Sequence, residues 1–495
     1  MKNNRILCIA IAALVLFSAF SLASCGKKKP NGGEPVASDS ATEPTAETDN
    51  LYDANGYLKD SIPEKNYNKD VRVLCWNTSQ VDEFGTSAQD ENTDSISRSF
   101  YTRNRTVESR LGVTLLMNQI DGDNAHQKDY CDFAMNEIMG GSTYDLLGCY
   151  SMSGGTLAVK NALKDLTALN YPELDRPWWS EKMIEISKIN NRLFFATGDI
   201  SGEILYNMMF LMYNTDIGDN MGLNDPRDFV FEGDWTLEQL YKQASGVYAD
   251  LNQSGVKDSG DRFGLIVSTQ VLIDGFYYGC GYTIARETDE GNIRLTPEFT
   301  GVKAYDLFSS LNRFLQSGFG FYDSGNANFK AGRALFGTAQ ASVFKAVKES
   351  GWGYSLLPFP KADETQTDYY SALGFGHSFY CIPVSAADPE LSGTVMECLA
   401  SEGYRTTTPE IFERVFRRYT FDESDWKIFN IIKNGIISDQ ARIFSSRFSW
   451  AKSALGIMRN CVTNNTAEGF TNEVRGNAEY INGIFDQILG KDSQS

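Results

Sequence analysis

Three short apolar runs, VRVLCW (71–76), VTLLMNQI (113–120) and YDLLGCY (144–150), alternate with stretches of helical periodicity, and this alternation limits the fold more than any other feature of the chain. A β-branched or aliphatic run bounded by polar residues reads as a strand covered on both faces. Between the first two runs, Ile96, Phe100, Val107 and Leu111 fall at spacings of four, seven and four, along one face of a helix that ends near Gly112. A second helix is predicted over 127–139. Strand, helix, strand, helix, strand implies a parallel sheet, and such sheets bind ligands beyond the carboxyl ends of their strands.

Further along, RLFFATGDI (192–200) reads as a strand and FLMYNTDIGDNMGLNDP (210–226) as a strand passing into a helix. GDWTLEQLYKQASGVYAD (233–250) reads as a helix and RFGLIVS (262–268) as another strand. Helical stretches at 394–400 and, in pieces, 450–488 close the chain. An α/β beginning with a helical end predicts two lobes rather than one enlarged sheet.

The first 24 residues stand apart from that pattern. Lys2 and Arg5 precede an apolar run from Ile6 to Phe20 and small residues before Cys25. This is the pattern of a secretory signal, since a membrane span needs about 20 apolar residues. Leu22-Ala23-Ser24-Cys25 resembles the lipobox of bacterial lipoproteins. That resemblance implies cleavage before Cys25, a diacylglycerol on its sulfur, and attachment to the extracytoplasmic side of the cell membrane through the lipid. Residues 26–50 hold almost no large apolar side chain and predict, with the rest of 25–65, a flexible linker. The formal charge of −19 lacks the basic footprint of a nucleic-acid binder, so no nucleic-acid partner is expected. Beyond Cys25 the cysteines are seven, scattered, with no C-x-x-C pair. They predict small buried residues, with no essential disulfide and no zinc cluster.

Several segments, taken in order, resemble the extracellular solute-binding proteins (family 1) of bacterial ABC importers, the group that includes maltose-binding protein. They are RTVESRLGVTL (105–115), NRLFFATGD (191–199) followed by MFLMYNTDIGDNMGLNDP (209–226), GDWTLEQLYKQA (233–244), FKAGRALF (329–336) and GWGYSLLPFPK (351–361). The third is similar to the family's P-x-T-W-x-E-L helix start with Trp and Thr exchanged. The fourth and fifth resemble its F-x-x-G-x-A-x-F and G-x-x-P-x-P signatures. The likeness spans 66–444. It implies an α/β, two-lobed periplasmic-binding-protein-like fold of type II, each lobe a mostly parallel sheet flanked by helices, with a helical C-terminal part. Lobe 1 would comprise 66–198 and 380–420, and lobe 2 would comprise 199–379 and 421–495, with crossings near 193–202 and 369–383. The implied function is capture of an oligosaccharide-like solute between the lobes and its delivery to ABC transporter permease subunits, by a monomer that performs no chemistry.

Catalytic patterns are scarce beside this. The chain's two histidines, His126 and His377, are far apart, so H-E-x-x-H is excluded, and it lacks G-x-S-x-G, P-loop and G-x-G-x-x-G motifs. A tethered glycan-active hydrolase and a non-transporting surface glycan-binding or sensor lipoprotein remain as alternatives. The 7 Trp, 24 Tyr and 31 Phe are the positive signal, because aromatic faces stack on the C–H faces of sugars while amides and hydroxyls meet their hydroxyls. The candidate ligand contacts are Trp76, Tyr150 and Ser151 at strand ends, Tyr206 and Asn207 after the first crossing, Gln270 after 262–268, Gln340 after the F-x-x-G segment, and Trp352 before the Pro-rich one. His126 reads as a surface residue, His377 as a satisfied structural one, and Trp178 with Trp179 as a buried corner.

DLNQSGVKDSGD (250–261) has the spacing of a calcium loop. Oxygen ligands fall at positions 1, 3, 5, 7, 9 and 12, namely Asp250, Asn252, Ser254, Val256 through its carbonyl, Asp258 and Asp261, with Gly255 at the sharp turn. Asp rather than Glu stands at position 12. A helix capped by Thr236 is expected to enter the loop and a strand to leave it. A structural Ca2+ there would act as a staple; no organic cofactor is expected.

Overall fold

The computed structural model describes residues 51–87, 89–90, 92–141, 144–324, 327–416 and 423–491. The signal and lipobox residues, Cys25 among them, lie outside the described residues. Residues 51–56 form a small unit of their own, a turn in which Gly56 N–H donates to Asp53 O at 3.0 Å. Everything from Tyr57 onward forms a second unit.

In chain order the strands of that unit are β1 (Lys69–Trp76), β2 (Val113–Ile120), β3 (Leu146–Tyr150), β4 (Met209–Asn214), β5 (Phe263–Ser268), β6 (Ala285–Glu287), β7 (Ile293–Leu295), β8 (Gly320–Asp323), β9 (Ala334–Gln340), β10 (Tyr354–Leu357), β11 (Ser371–Ala372), β12 (Ser378–Cys381) and β13 (Ile436–Ile437). The first lobe is built on the sheet β12-β3-β1-β2. β1 pairs in parallel with β2 and β3, as the apolar alternation predicts, and β12 closes the edge antiparallel to β3. The helix Ser95–Leu111 buries Phe100, Val107 and Leu111 and stops at Gly112, whose φ of 59° suits a residue without a Cβ. The second helix is Gln127–Met139.

The second lobe carries the sheet β10-β4-β9-β5-β8. Here the pairings are mixed: β5 is parallel to β8 and β9, while β4 is antiparallel to β9 and β10. The helices Val302–Gln316, Ala454–Thr463 and Phe470–Ile488 pack on this side, so the helical C-terminal part belongs to the second lobe's surface.

Two segments run antiparallel between the lobes. Ala196 bridges Tyr380 at one end and Met208 bridges Leu373 at the other. RLFFATGDI therefore departs from the strand expected of it: it meets its partner at single residue pairs, and the short helix Glu203–Asn207 follows it. A third passage comes where β13 pairs with β11 and the helix Gln440–Ile443 packs against the helix Ser151–Val159. The seven cysteines of this unit are all buried. No helix among the described residues is long and apolar enough to cross a membrane.

Candidate functional site at the junction of the lobes

The carboxyl ends of β1, β2 and β3 converge on the crossing segments. Residues 77–82, 86 and 87 of the chain leaving β1 line a cavity of about 480 Å3 together with Asp94, Ile96, Ser97, Gln119 and Tyr206. Its walls are mostly amides, hydroxyls and the carboxylates of Asp82 and Asp94. These are the groups that hydrogen-bond a polyhydroxylated solute.

A buried polar network holds that loop. Glu83, fully buried, bonds Ser378 Oγ and accepts from Ser201 Oγ at 2.8 Å and Glu203 N at 3.1 Å. Ser378 Oγ also accepts the indole N–H of Trp76 at 2.7 Å. Glu203, also buried, accepts the backbone N–H groups of Gln80 at 2.7 Å and Val81 at 3.2 Å. Arg103 donates to Glu83 O at 2.8 Å and to Ile200 O at 2.9 Å. The loop is thus fastened to both crossing segments. Burial pushes the Glu203 carboxyl up to about 8, with the charge of Glu83 adding to it, and burial raises Glu83 as well.

On the second lobe the corresponding edge is the carboxyl end of β5. Thr269 there has φ 56° and ψ 149°, a conformation a β-branched residue rarely adopts, and its buried Oγ1 has no hydrogen-bond partner among the described residues. Strain of this sort costs about 1–3 kcal/mol and gathers at functional sites. The exposed Gln270 follows. Asp274, in the next helix, receives two buried guanidiniums, Arg442 and Arg459. Both lie over the ring of Phe375 from the second crossing, at 4.3 Å and 5.7 Å. Arg459 in turn sits 5.4 Å from the ring of Trp450, which is 46% exposed.

The residues predicted from sequence fall into distinct places. Tyr206 lines the cavity and Gln270 lies open at the end of β5. Ser151, Asn207 and Gln340 bond the crossings: Ser151 Oγ donates to Phe375 O at 2.7 Å, Asn207 Nδ2 to Gly376 O at 3.0 Å, and Gln340 Nε2 to Asn207 O at 3.0 Å. Trp76, expected as a platform, is instead buried, edge-on to the nearly buried Tyr150 at 5.2 Å. Trp352 is also corrected. It precedes β10, whose Tyr354 pairs with Asn214 at the far end of β4, and its indole donates to Lys330 O at 3.2 Å. The antiparallel direction of β10 carries it away from the crossings. His377 is buried, with Nδ1 on Gly374 O at 2.7 Å but Nε2 without a partner, and burial pushes it down to about 4. Trp178 and Trp179 are buried, both indoles donating to Glu397 at 2.9 Å.

Loop 250–261 is pinched at its base by the bridge between Ala249 and Arg262. The helix Leu237–Ala244, capped by Thr236, ends before it, so a helix does not enter the loop directly as expected. Val247 breaks away to bury itself in the core, which ends the helical run. Within the loop, Asp250 accepts Gly255 N at 2.9 Å, and Ser254 Oγ lies 2.9 Å from Val256 O and 3.1 Å from Asp258 Oδ2. Asn252 Nδ2 donates to Asp258 at 2.9 Å. Asp261 is fully buried; Oδ2 accepts from Tyr248 O–H and Asp258 N–H, and Oδ1 has no hydrogen-bond partner among the described residues. The donor set is all oxygen, as a hard cation requires. The carboxylates do not form a ready metal-holding group of three among the described residues.

No protein-family model matches the sequence, and no curated protein matches it. Solved structures do. A cyclo/maltodextrin-binding protein complexed with maltotetraose is similar over 83% of this chain and 96% of its own, at 10% identity and a TM-score of 0.56. The extracellular solute-binding protein from Staphylococcus aureus in complex with maltose is similar over 85% and 98%, at 10% identity and a TM-score of 0.56. An ABC transporter solute-binding protein from Thermotoga lettingae bound with α-D-tagatose is similar over 84% and 100%, at 15% identity and a TM-score of 0.50. At such identities the likeness concerns architecture: this chain has the two-lobed, periplasmic-binding-protein-like α/β fold.

Proposed function

We propose that this protein is a lipid-anchored, extracytoplasmic solute-binding protein that captures an oligosaccharide-like carbohydrate between its lobes and delivers it to the permease of an ABC importer. The observation that carries the reading is the cavity lined by amides and hydroxyls where the chain leaving β1 meets Tyr206; the half-exposed indole of Trp450, against Arg459 near the second crossing, is taken as an aromatic contact for the same solute. Proteins of this architecture have been solved with maltotetraose, maltose and tagatose, which supports the choice of solute. Binding rather than hydrolysis is supported by the two buried carboxylates nearest the cavity: Glu83 and Glu203 are engaged by serine hydroxyls and backbone N–H groups. Hinge closure of the lobes would complete the site and present it to the permease. Cys25 would carry the lipid.

Calcium in loop 250–261 is a second part of the proposal. Asp250, Asn252, Ser254, the Val256 carbonyl, Asp258 and Asp261 would hold it, the unpartnered Asp261 Oδ1 being the oxygen that a cation would satisfy. The ion would supply cross-linking of a long connection and no chemistry.

The test is thermal unfolding of the full chain against a panel of neutral and acidic oligosaccharides, with product analysis. A ligand specific to the folded state stabilises it by about 2.7 kcal/mol at a hundredfold excess over its dissociation constant. A raised midpoint without product is the expected result; turnover, or no response to any sugar, refutes the reading.

A further inference from the structure

We propose that the cleft takes a carbohydrate bearing a carboxylate, an acidic sugar, whose anionic group is received by Nη1 of Arg459. The inference rests on the carbohydrate reading above and narrows it.

Arg442 and Arg459 share one carboxylate partner. Arg442 spends Nη1 on Asp274 and Nη2 on Leu373 O at 2.5 Å. Arg459 gives Nε to Asp274 Oδ1 at 2.7 Å and Nη2 to Asp274 Oδ2 at 2.6 Å. Its Nη1 has no hydrogen-bond partner among the described residues, although the side chain is only 7% exposed. The neighbouring carboxylate, Asp439, is turned elsewhere: it accepts Tyr278 O–H at 2.9 Å, Ile284 N–H at 2.6 Å and the backbone N–H of Arg442 at 3.1 Å. Arg442 thus has the charge of Asp439 beside it as well as Asp274, whereas Arg459 has only its share of Asp274 and keeps an open Nη1 that can receive an added anion.

The position of that charge ties it to the solute. The Arg459 guanidinium lies over the rings of Trp450 and Phe375, at 5.4 Å and 5.7 Å, and within electrostatic reach of the Tyr150 hydroxyl. Tyr150 ends β3 and Phe375 belongs to the second crossing, so this is the junction where the solute is read to bind. A sugar ring stacked on the open indole of Trp450 would hold its substituents beside Nη1. A carboxylate there accepts from the two N–H groups of Nη1 in a charge-assisted pair, whereas a hydroxyl brings no charge to match the cation.

The test is calorimetric titration of the full chain with tetragalacturonate and with its methyl ester, which lacks the charge and carries an added methyl on each carboxyl, alongside the neutral panel. The acid is expected to bind about 10- to 100-fold more tightly than the ester, the range of one charge-assisted hydrogen bond. That preference should shrink with added salt and vanish in Arg459→Gln. Arg459→Lys, which keeps a cation against Asp274, should retain part of it. If Arg459→Gln does not fold, the wild-type comparison and the lysine variant decide. Equal binding of acid and ester, or discrimination that survives in folded Arg459→Gln, overturns the inference. Binding of neutral oligosaccharides with none of the acid overturns it alone, and failure of every sugar overturns the carbohydrate reading with it.

Discussion

Glu203→Gln is the sharpest probe of the buried network beneath the cavity. The amide oxygen can go on accepting the N–H groups of Gln80 and Val81, so the variant removes a titration while leaving the hydrogen bonds that position the loop. In the native protein burial holds the carboxyl at about 8, against an ordinary 4.5. Below about pH 4.5 the group is protonated in folded and unfolded chains alike and costs nothing. As pH rises from there towards 8, the unfolded chain releases the proton and the folded chain keeps it. Stability therefore falls by about 1.4 kcal/mol per pH unit, and the loss stops growing above 8. From pH 5.5 to 7.5 the stability of Glu203→Gln should rise relative to wild type by about 2.7 kcal/mol, other groups cancelling in the comparison. Urea unfolding midpoints at several pH values measure it. Parallel pH profiles for the two proteins would mean that Glu203 is not held protonated, and the account of the network would be wrong.

Three further outcomes are expected. Trp450→Ala should weaken oligosaccharide binding by about tenfold, the scale of one lost aromatic stack, with the unfolding midpoint of the free protein nearly unchanged since the indole is exposed; unchanged affinity by calorimetry would remove it from the site. Chelator should lower the thermal midpoint of the wild-type protein and not of Asp258→Ala, and indifference to chelator in both would leave loop 250–261 a plain turn. Gly148→Ala would bring a Cβ within 2.4 Å of the buried Phe84 ring, an overpacking that should cost about 1–3 kcal/mol in denaturant unfolding; a neutral result would show that the ring can yield.

The local parts of the fold were legible where local rules decide. β1, β2, the helix between them and its Gly112 stop follow from apolar spacing and one glycine, within a few residues of chain. The site was less so, because its residues are defined by partners far off in sequence. Trp76 is buried because Ser378, 302 residues on, accepts its indole N–H. Trp352 lies at the wrong end of its lobe because β10 runs antiparallel to β4, a direction no single segment announces. Trp450 and Arg459 read only as part of a helical stretch until Asp274 and Phe375 are beside them. The polar run after β1 did carry a signal: it follows a buried strand at the end where ligands bind. Its amides and hydroxyls, at 77–80, 86 and 87, line the cavity, whereas aromatic content points to other places.

The fastening of residues 80–84 to both crossing segments bears on kinetics. Glu203, Glu83 and Arg103 make the first lobe's wall of the cavity one body with the hinge. That wall is preformed, so under the proposed function a solute arriving from solution would meet half of its site ready-made, and the association rate should depend on this wall and respond little to changes in the second lobe. Trp450 and Arg459, carried on the C-terminal helices of the other lobe, would then act after encounter, setting how long the solute stays.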